Sequence, residues 1–364
     1  MSAGDVAGGL AERVRTAAAS ATPLAIAGRG TRRALGHDPT GEALSTLEHA
    51  GVINHEPTEL VLSARAGTPV ATLVETLSAA NQMLPFEPPD QGGTLGGVVA
   101  CALSGPRRPY AGAVRDFVLG TRVIDGRGRI LSFGGEVMKN VAGYDVSRVQ
   151  VGAFGTLGVL LDVSMKVLPM PELEITLRHE LAPDAADSSD ELVALARRPL
   201  PLSAALVIGR ERYVRLGGSA VAVEAAARAL GGERVTESDA PWRGVRERTH
   251  PFFAGDRPLW RLAVPDHAAP IALAGDWLLD WGGAQRWLRS EAPASEVFAA
   301  AAAAGGHATR YRGTSASGDP KSVDGPLFQP LDGPIRRLQS RLRDSFDPHR
   351  VLNRGRFHPE LDER

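Results

Sequence analysis

The sequence predicts an α+β protein of two domains, and three observations carry that expectation. Strand-like and helix-like segments alternate loosely along the chain. At 364 residues the chain exceeds one average domain. A proline pair, Pro169 and Pro171, stops an alternating strand and marks the boundary. The expected layout is a first domain over residues 1–171, with subdomains near 1–85 and 86–171, and a second, smaller α+β domain over 172–313. A linker over 314–333 and a helix with its tail over 334–364 follow.

Leu10 to Ala21 reads as a short amphipathic helix, and Pro23 to Ala27 as a strand running into Gly28-Arg29-Gly30-Thr31. Glu59 to Ala64 is a second strand. Thr68 reads as an N-cap with Pro69 at the first helical position, before Val70, Leu73, Val74 and Leu77 at helical spacing. The opening eighty residues thus read as a βαβ-like unit. Phe117–Ile124 and Arg129–Phe133 form a hairpin across Asp125-Gly126-Arg127-Gly128. Val159 to Val167 alternates apolar with polar residues, as a half-buried strand does.

Past the prolines, strands are expected at 174–181, 204–209, 213–216 and 259–264, and a hairpin between Trp277 and Trp287. Helices are expected at 188–198, opened by a Ser188/Glu191 capping box, and at 219–230 and 295–304. His307 to Arg312 is extended. Residues 314–330 are rich in Ser, Gly, Asp and Pro, and Ile335, Leu338, Leu342 and Phe346 share one face of a final helix.

A net charge of −1 offers no electrostatic footprint for nucleic acid or an anionic membrane, and aromatics at 5% are too sparse for a base-stacking platform. Cys101 is the only cysteine, which excludes an internal disulfide and a self-contained iron–sulfur cluster. The N-terminus has no signal-peptide core, and no window reaches the roughly 20 apolar residues of a membrane span. A cytoplasmic protein is expected, with any association at the inner membrane made through partners.

Chemistry concentrates in glycine-dense turns, because glycine at such density implies positive φ or close backbone approach. In this chain the density points to a large, flat, anionic cofactor lying on main-chain amides. Gly28 to Thr31 could hold phosphate oxygens on consecutive N–H groups, with Arg29 and Thr31 adding hydrogen bonds, or could simply end a strand. A dinucleotide fingerprint of the Rossmann kind is excluded by the charged, broken segment Arg32–Gly41 that follows. Gly92-Gly93-Thr94-Leu95-Gly96-Gly97 places four glycines in six positions, more than a packing bend explains. Gly152 to Val159 repeats the Gly-Thr-Leu-Gly pattern. Between them, Lys139 is either a cofactor contact or a solvated lysine, while Tyr144 and Asp145 read as helix-entry residues.

The segments PPDQGGTLGG, SGPRRPYAGAVRDFVLGTRVIDGRG and GGEVMKNVAGYDVSRVQVGAFGTLGVLLDVSMKVLP resemble the FAD-binding domain of the vanillyl-alcohol oxidase and p-cresol methylhydroxylase superfamily. With the tail FDPHRVLNRGR, and with WGGAQRW and GGHATRYRG, nearly the whole chain resembles the FAD-binding subunits of bacterial glycolate oxidases. The resemblance implies a two-subdomain FAD domain, a cap domain, and a tail that returns to the FAD domain. It implies that Gly28, Arg29, Gly30 and Thr31, together with Gly93, Thr94, Leu95, Gly96 and Gly97, cradle the pyrophosphate. Gly155, Thr156, Gly158 and Val159 would lie along the ribityl and adenine portion. Ser104 and the Y-G-x-x-R-D match at Tyr110, Gly112, Arg115 and Asp116 would lie close to the flavin. Asn353 and Arg356 match a terminal N-P-G-R motif in which Arg354 replaces the usual proline.

Two departures shape the functional expectation. Relatives that oxidise 2-hydroxy acids themselves carry a G-H-x-G-D-G-N-x-H motif, whereas this chain has only Gly306-His307-Ala308-Thr309, so no metal site is expected and His307 reads as structural. No histidine lies within Ala27 to Thr31, and Cys101 sits among small apolar residues as an inert thiol, so FAD is expected to be non-covalent. The resemblance implies a glycolate-to-glyoxylate complex with a second FAD-binding 2-hydroxy-acid oxidase subunit, which binds the glycolate, and an iron–sulfur subunit. This chain would then pass electrons between subunits. A self-sufficient hydroxy-acid dehydrogenase and a flavin-less scaffold remain as alternatives, and no catalytic residue is assigned.

Overall fold

The computed structural model describes residues 5–90, 92–135, 145–182, 189–311, 323 and 325–363. They form two compact units. The first comprises residues up to Leu103, Ala113–Met170 and Pro330 onward, and the second comprises Ser104–Gly112 and Pro171–Gln329. Lys139, Tyr144, Ser188 and most of the 314–333 stretch lie outside the described residues.

In the first unit, helix α1 (Ala7–Ser20) buries Ala7, Leu10, Ala11, Val14 and Ala17 along one stripe. It stops at Ala21, which turns left-handed (φ 53°) and returns its N–H to Ala17 O. The stripe packs on Leu24, Leu44, Ile124, Val159, Leu161, Val351 and Leu352. Strand β1 (Leu24–Ala27) runs parallel to β2 (Glu42–Ser45), in register from Leu24 opposite Glu42 to Ala27 opposite Ser45. The tail lies on the other edge of β1: Leu24 N donates to Val351 O at 2.7 Å and Asn353 N to Leu24 O at 2.9 Å.

Strands β3 (Val52–Glu56), β4 (Val61–Arg65), β6 (Val118–Ile124), β7 (Ile130–Gly134) and β8 (Val159–Lys166) form an antiparallel sheet in the order β3-β4-β8-β6-β7. A short pair, β5 (Gln82–Met83) with β9 (Leu168–Pro169), closes beside it. The β6–β7 turn is organised by Asp125, 1% exposed, whose carboxylate accepts the N–H groups of Arg127 and Arg129 and pairs with the Arg129 guanidinium at 2.6 Å.

Two expectations are corrected here. The opening residues are not a βαβ unit: β1 and β2 pair directly, and β3 and β4 belong to another sheet. Thr68 is not the cap of helix α2 (Val70–Ser78); Pro69 holds that position. The Thr68 hydroxyl instead bonds both backbone groups of Gly51, accepting from N at 2.9 Å and donating to O at 3.2 Å.

The second unit is an eight-stranded antiparallel sheet. Its strands are β10 (Leu173–Glu180), β11 (Leu202–Ile208), β12 (Glu211–Gly218), β13 (Glu233–Arg234), β14 (Leu259–Ala263), β15 (Asp276–Asp280), β16 (Gln285–Arg289) and β17 (His307–Tyr311). They run in the order β13-β10-β12-β11-β15-β16-β14-β17. His307 opens β17, in keeping with the extended stretch expected from there. Ser104–Gly112 belongs to this unit because Arg107 pairs with Glu174 at 2.6 Å and Trp281 Nε1 donates to Gly105 O at 2.9 Å.

Candidate functional site

The first unit contains a cleft of about 320 Å³ whose walls come chiefly from five stretches of sequence: the end of β1 and the loop behind it, β2, the helix Leu95–Ala100 (α3), the glycine turn, and the tail. Of the predicted residues, Gly28, Arg29, Gly30, Thr31, Thr94, Gly96, Gly97, Gly155, Gly158, Asn353 and Arg356 line it.

The loop after β1 is the part built for an anion. Among the described residues, the N–H groups of Gly28, Arg29, Gly30 and Thr31 donate to no protein acceptor, and all four residues line the cleft. Arg29 is exposed beside them, and Arg32 and Arg33 add cationic walls. Such a row of amides next to guanidinium groups accepts phosphate-like oxygens. Gly28 has no room for a side chain, since a Cβ would stand 2.5 Å from Thr94 Oγ1.

The second glycine turn works differently. Thr94 caps α3 by accepting from Gly97 N at 3.3 Å. The amides of Leu95 and Gly96 donate to Thr68 O and Ala66 O at 2.9 and 2.8 Å, so this helix start has its N–H groups already taken. A Cβ on Gly96 would stand 2.8 Å from that of Ala66, which makes it a packing glycine. On Gly97 a Cβ would meet only Thr94 Oγ1 at 3.4 Å, so Gly97 leaves cleft space open.

The tail fastens the third turn. Asn353, left-handed at φ 44°, accepts Ile26 N at 2.6 Å through Oδ1 and donates Nδ2 to Phe154 O at 2.7 Å. Gly155 (φ 70°) passes so close that a Cβ would lie 2.7 Å from Asn353 Nδ2. Phe154 stacks on Phe357 with ring centroids 5.1 Å apart. The Arg356 guanidinium donates to the carbonyls of Arg32, Arg33 and His37 at 2.7, 3.2 and 2.8 Å, holding the loop that carries the open amides.

The remaining predicted residues lie off the cleft walls. Leu95 and Val159 are core residues, and the Thr156 hydroxyl donates to Ala153 O at 2.7 Å. Asp116 accepts Ala113 N at 2.8 Å, capping its own turn, with Arg115 exposed beside it. Gly93 lies under the Arg32 guanidinium. Ser104, Tyr110 and Gly112 belong to the second unit. Asp145 does what a helix-entry residue does, accepting Arg148 N at 3.3 Å. Sequence reasoning missed Arg32, Arg33, Thr46, Ala66 and Phe154; the run Arg29-Gly30-Thr31-Arg32-Arg33 carried a signal for the first two. Cys101 lines the cleft half-buried, and burial pushes its thiol pKa up.

The FAD binding domain family matches residues 7–134, and the fold is that of alkyldihydroxyacetonephosphate synthase (TM-score 0.63, 13% identity, 94% of this chain and 73% of that one). Fold and cleft define a flavin oxidoreductase chain of the p-cresol methylhydroxylase type. The chain is 45% identical to glycolate oxidase subunit GlcE of Escherichia coli (strain K12), over 98% of this chain and 99% of that one. It is 33% identical to glycolate oxidase subunit GlcD of Bacillus subtilis (strain 168), over 54% of this chain and 43% of that one. The chain belongs to the GlcE family of glycolate oxidase subunits. No described helix is long and apolar enough to cross a membrane.

Proposed function

We propose that this chain is the FAD-carrying subunit of a multi-subunit glycolate oxidase, in which glycolate loses two electrons and two protons to become glyoxylate. The observation that carries the reading is the 45% identity to a glycolate oxidase subunit across both full lengths. FAD fits the cleft by its chemistry: the pyrophosphate would take the open amides of Gly28 to Thr31 with Arg29, and Gly97 leaves room for the rest. Arg356 and Asn353 hold those walls in place. When bound, FAD supplies the redox chemistry, and the protein supplies position and electrostatics.

The FAD is non-covalent. Histidine is absent among the described residues lining the cleft, and the raised thiol pKa of Cys101 keeps it protonated and a poor nucleophile. Electrons pass between this flavin, a second FAD-binding 2-hydroxy-acid oxidase subunit that binds glycolate, and an iron–sulfur subunit. A single cysteine in this chain puts any cluster in a partner. In this reading the chain works on the cytoplasmic side and meets the membrane only through its partners.

The test is purification of the chain alone and with its partners. Acid precipitation should release all flavin into the supernatant. With glycolate and a dye acceptor, the complex should turn over and the lone chain should not. Steady turnover by the lone chain would replace the relay reading with a self-sufficient dehydrogenase. Failure to take up FAD on reconstitution would sink both.

A further inference from the structure

Three buried side chains that do not line the flavin cleft fix the stretch of tail that does. Asp347 ends the final helix (Gly333–Phe346) and is 0% exposed. Its Oδ1 accepts Val351 N at 3.1 Å and its Oδ2 accepts Leu352 N at 2.9 Å, so the chain leaves the helix along one path. Asp362 reaches back from beyond the cleft residues: Oδ2 accepts Gly355 N at 2.6 Å, and Oδ1 pairs with the Arg343 guanidinium at 2.7 Å. That guanidinium also donates to Leu352 O at 3.1 Å. Arg343 and Asp362 are 3% and 7% exposed, so salt screens the pair little.

Arg343 and Asp362 thereby clasp a loop with Asn353 and Arg356 inside it. Arg350 and Asn353 are left-handed at φ 54° and 44°, close to Gly355 at 81°. Left-handed backbone at a residue other than glycine persists only where its surroundings over-determine it, and it gathers at ligand clamps. The carboxylates of Asp347 and Asp362 supply that constraint through the N–H groups of Val351, Leu352 and Gly355. Gly355 immediately precedes Arg356, whose guanidinium holds the carbonyls of Arg32, Arg33 and His37. The backbone adds two bonds to the same loop, from His37 N to Arg356 O at 3.1 Å and from Thr40 N to Arg354 O at 2.9 Å. A continuous line of contacts therefore runs from Asp362 to the loop with the open amides, all of it within the first unit.

We propose that the Arg343–Asp362 pair is a positioning clasp for the pyrophosphate end of the flavin cleft. It fixes Gly355, Gly355 sets the course of Arg356, and Arg356 holds the loop whose open amides receive the anion. The proposal rests on the reading of that loop as the pyrophosphate site. Neither partner of the pair lines the cleft, so both act through the loop and not on the ligand. Their loss should loosen residues 32–40 and weaken ligands that carry a pyrophosphate, while the sheet of the first unit keeps its protection.

The experiment is titration of the intact, flavin-free chain with FAD and with ADP, which carries the pyrophosphate without the flavin. Amide hydrogen exchange is read on the same samples. Asp362→Ala should weaken both ligands at least about tenfold. Asp362→Asn, which keeps an acceptor for Gly355 N and loses the ion pair, should fall between Ala and wild type, about threefold down or more. In both variants the amides of His37 and Thr40 should exchange faster, while those of β6 should not; a merely structural role would speed both. If Asp362→Ala does not fold, Asp362→Asn decides. Wild-type ADP affinity in a folded variant, equal losses in Ala and Asn, or faster exchange spread through the sheet each overturns the clasp alone. A wild-type chain that takes FAD but not ADP overturns the pyrophosphate reading of the loop, and the clasp with it.

Discussion

Replacing Asn353 with Ala should damage both the stability of the first unit and its hold on FAD. The side chain makes two backbone contacts, from Ile26 N at 2.6 Å and to Phe154 O at 2.7 Å. Leaving each part-buried group without a partner costs about 1–2 kcal/mol. Alanine at φ 44° adds about 1–2 kcal/mol, because it lacks the short polar side chain by which asparagine tolerates the left-handed region. The sum is about 3–6 kcal/mol. Asn353→Asp separates the contributions: it keeps the acceptor for Ile26 and loses only the donor to Phe154, for about 1–3 kcal/mol. Urea unfolding of the flavin-free proteins gives the stabilities, and flavin fluorescence quenching gives the FAD affinities. The order of stability should be wild type, then Asp, then Ala, with FAD affinity falling at least about tenfold in Ala. An Ala variant within about 0.5 kcal/mol of wild type, or equal losses in both variants, would refute the stapling role.

Three further outcomes follow from the same geometry. Gly97→Val should fold but lose FAD, since its side chain enters cleft space, whereas Gly96→Val should lose stability first by overpacking against Ala66, at roughly 1–3 kcal/mol; flavin stoichiometry beside unfolding midpoints separates the two. Burial holds the pKa values of His179 and His250 below 6.5, so stability they contribute is present above that pH and is lost as pH falls through their lower folded values. Urea midpoints at pH 7.5 and 5.5 should therefore differ, and His250→Asn, which keeps an acceptor for Phe252 N, should narrow the gap. Finally, Cys101 should alkylate slowly at pH 8 because its thiol stays protonated, and bound FAD should slow it further; mass spectrometry with and without FAD reads both effects.

Local chemistry was readable in the sequence wherever a short pattern has a single physical cause. The Asp125-Gly126-Arg127-Gly128 hairpin and the alternation through β8 are of that kind. The strands β2 and β3 escaped notice because their sequences, Glu-Ala-Leu-Ser and Val-Ile-Asn-His-Glu, show too little alternation for so few residues. The glycine turns were visible, but their separate duties were not. Gly96 answers to Ala66, and Gly155 answers to Asn353, a residue far along the chain. Only distant pairing reveals that the amides of Leu95 and Gly96 are occupied while those of Gly28 to Thr31 are open.

The way the tail threads back beside β1 sets an order of events for the newborn chain. Two cleft residues, Asn353 and Arg356, leave the ribosome after every other residue that lines the cleft. The amide row can form early, but the clamp on it arrives only after the whole stretch 171–329 of the second unit has been made. Flavin capture is thereby deferred until that unit has been synthesised, and a chain cut short before Asn353 carries an open, unlatched cleft.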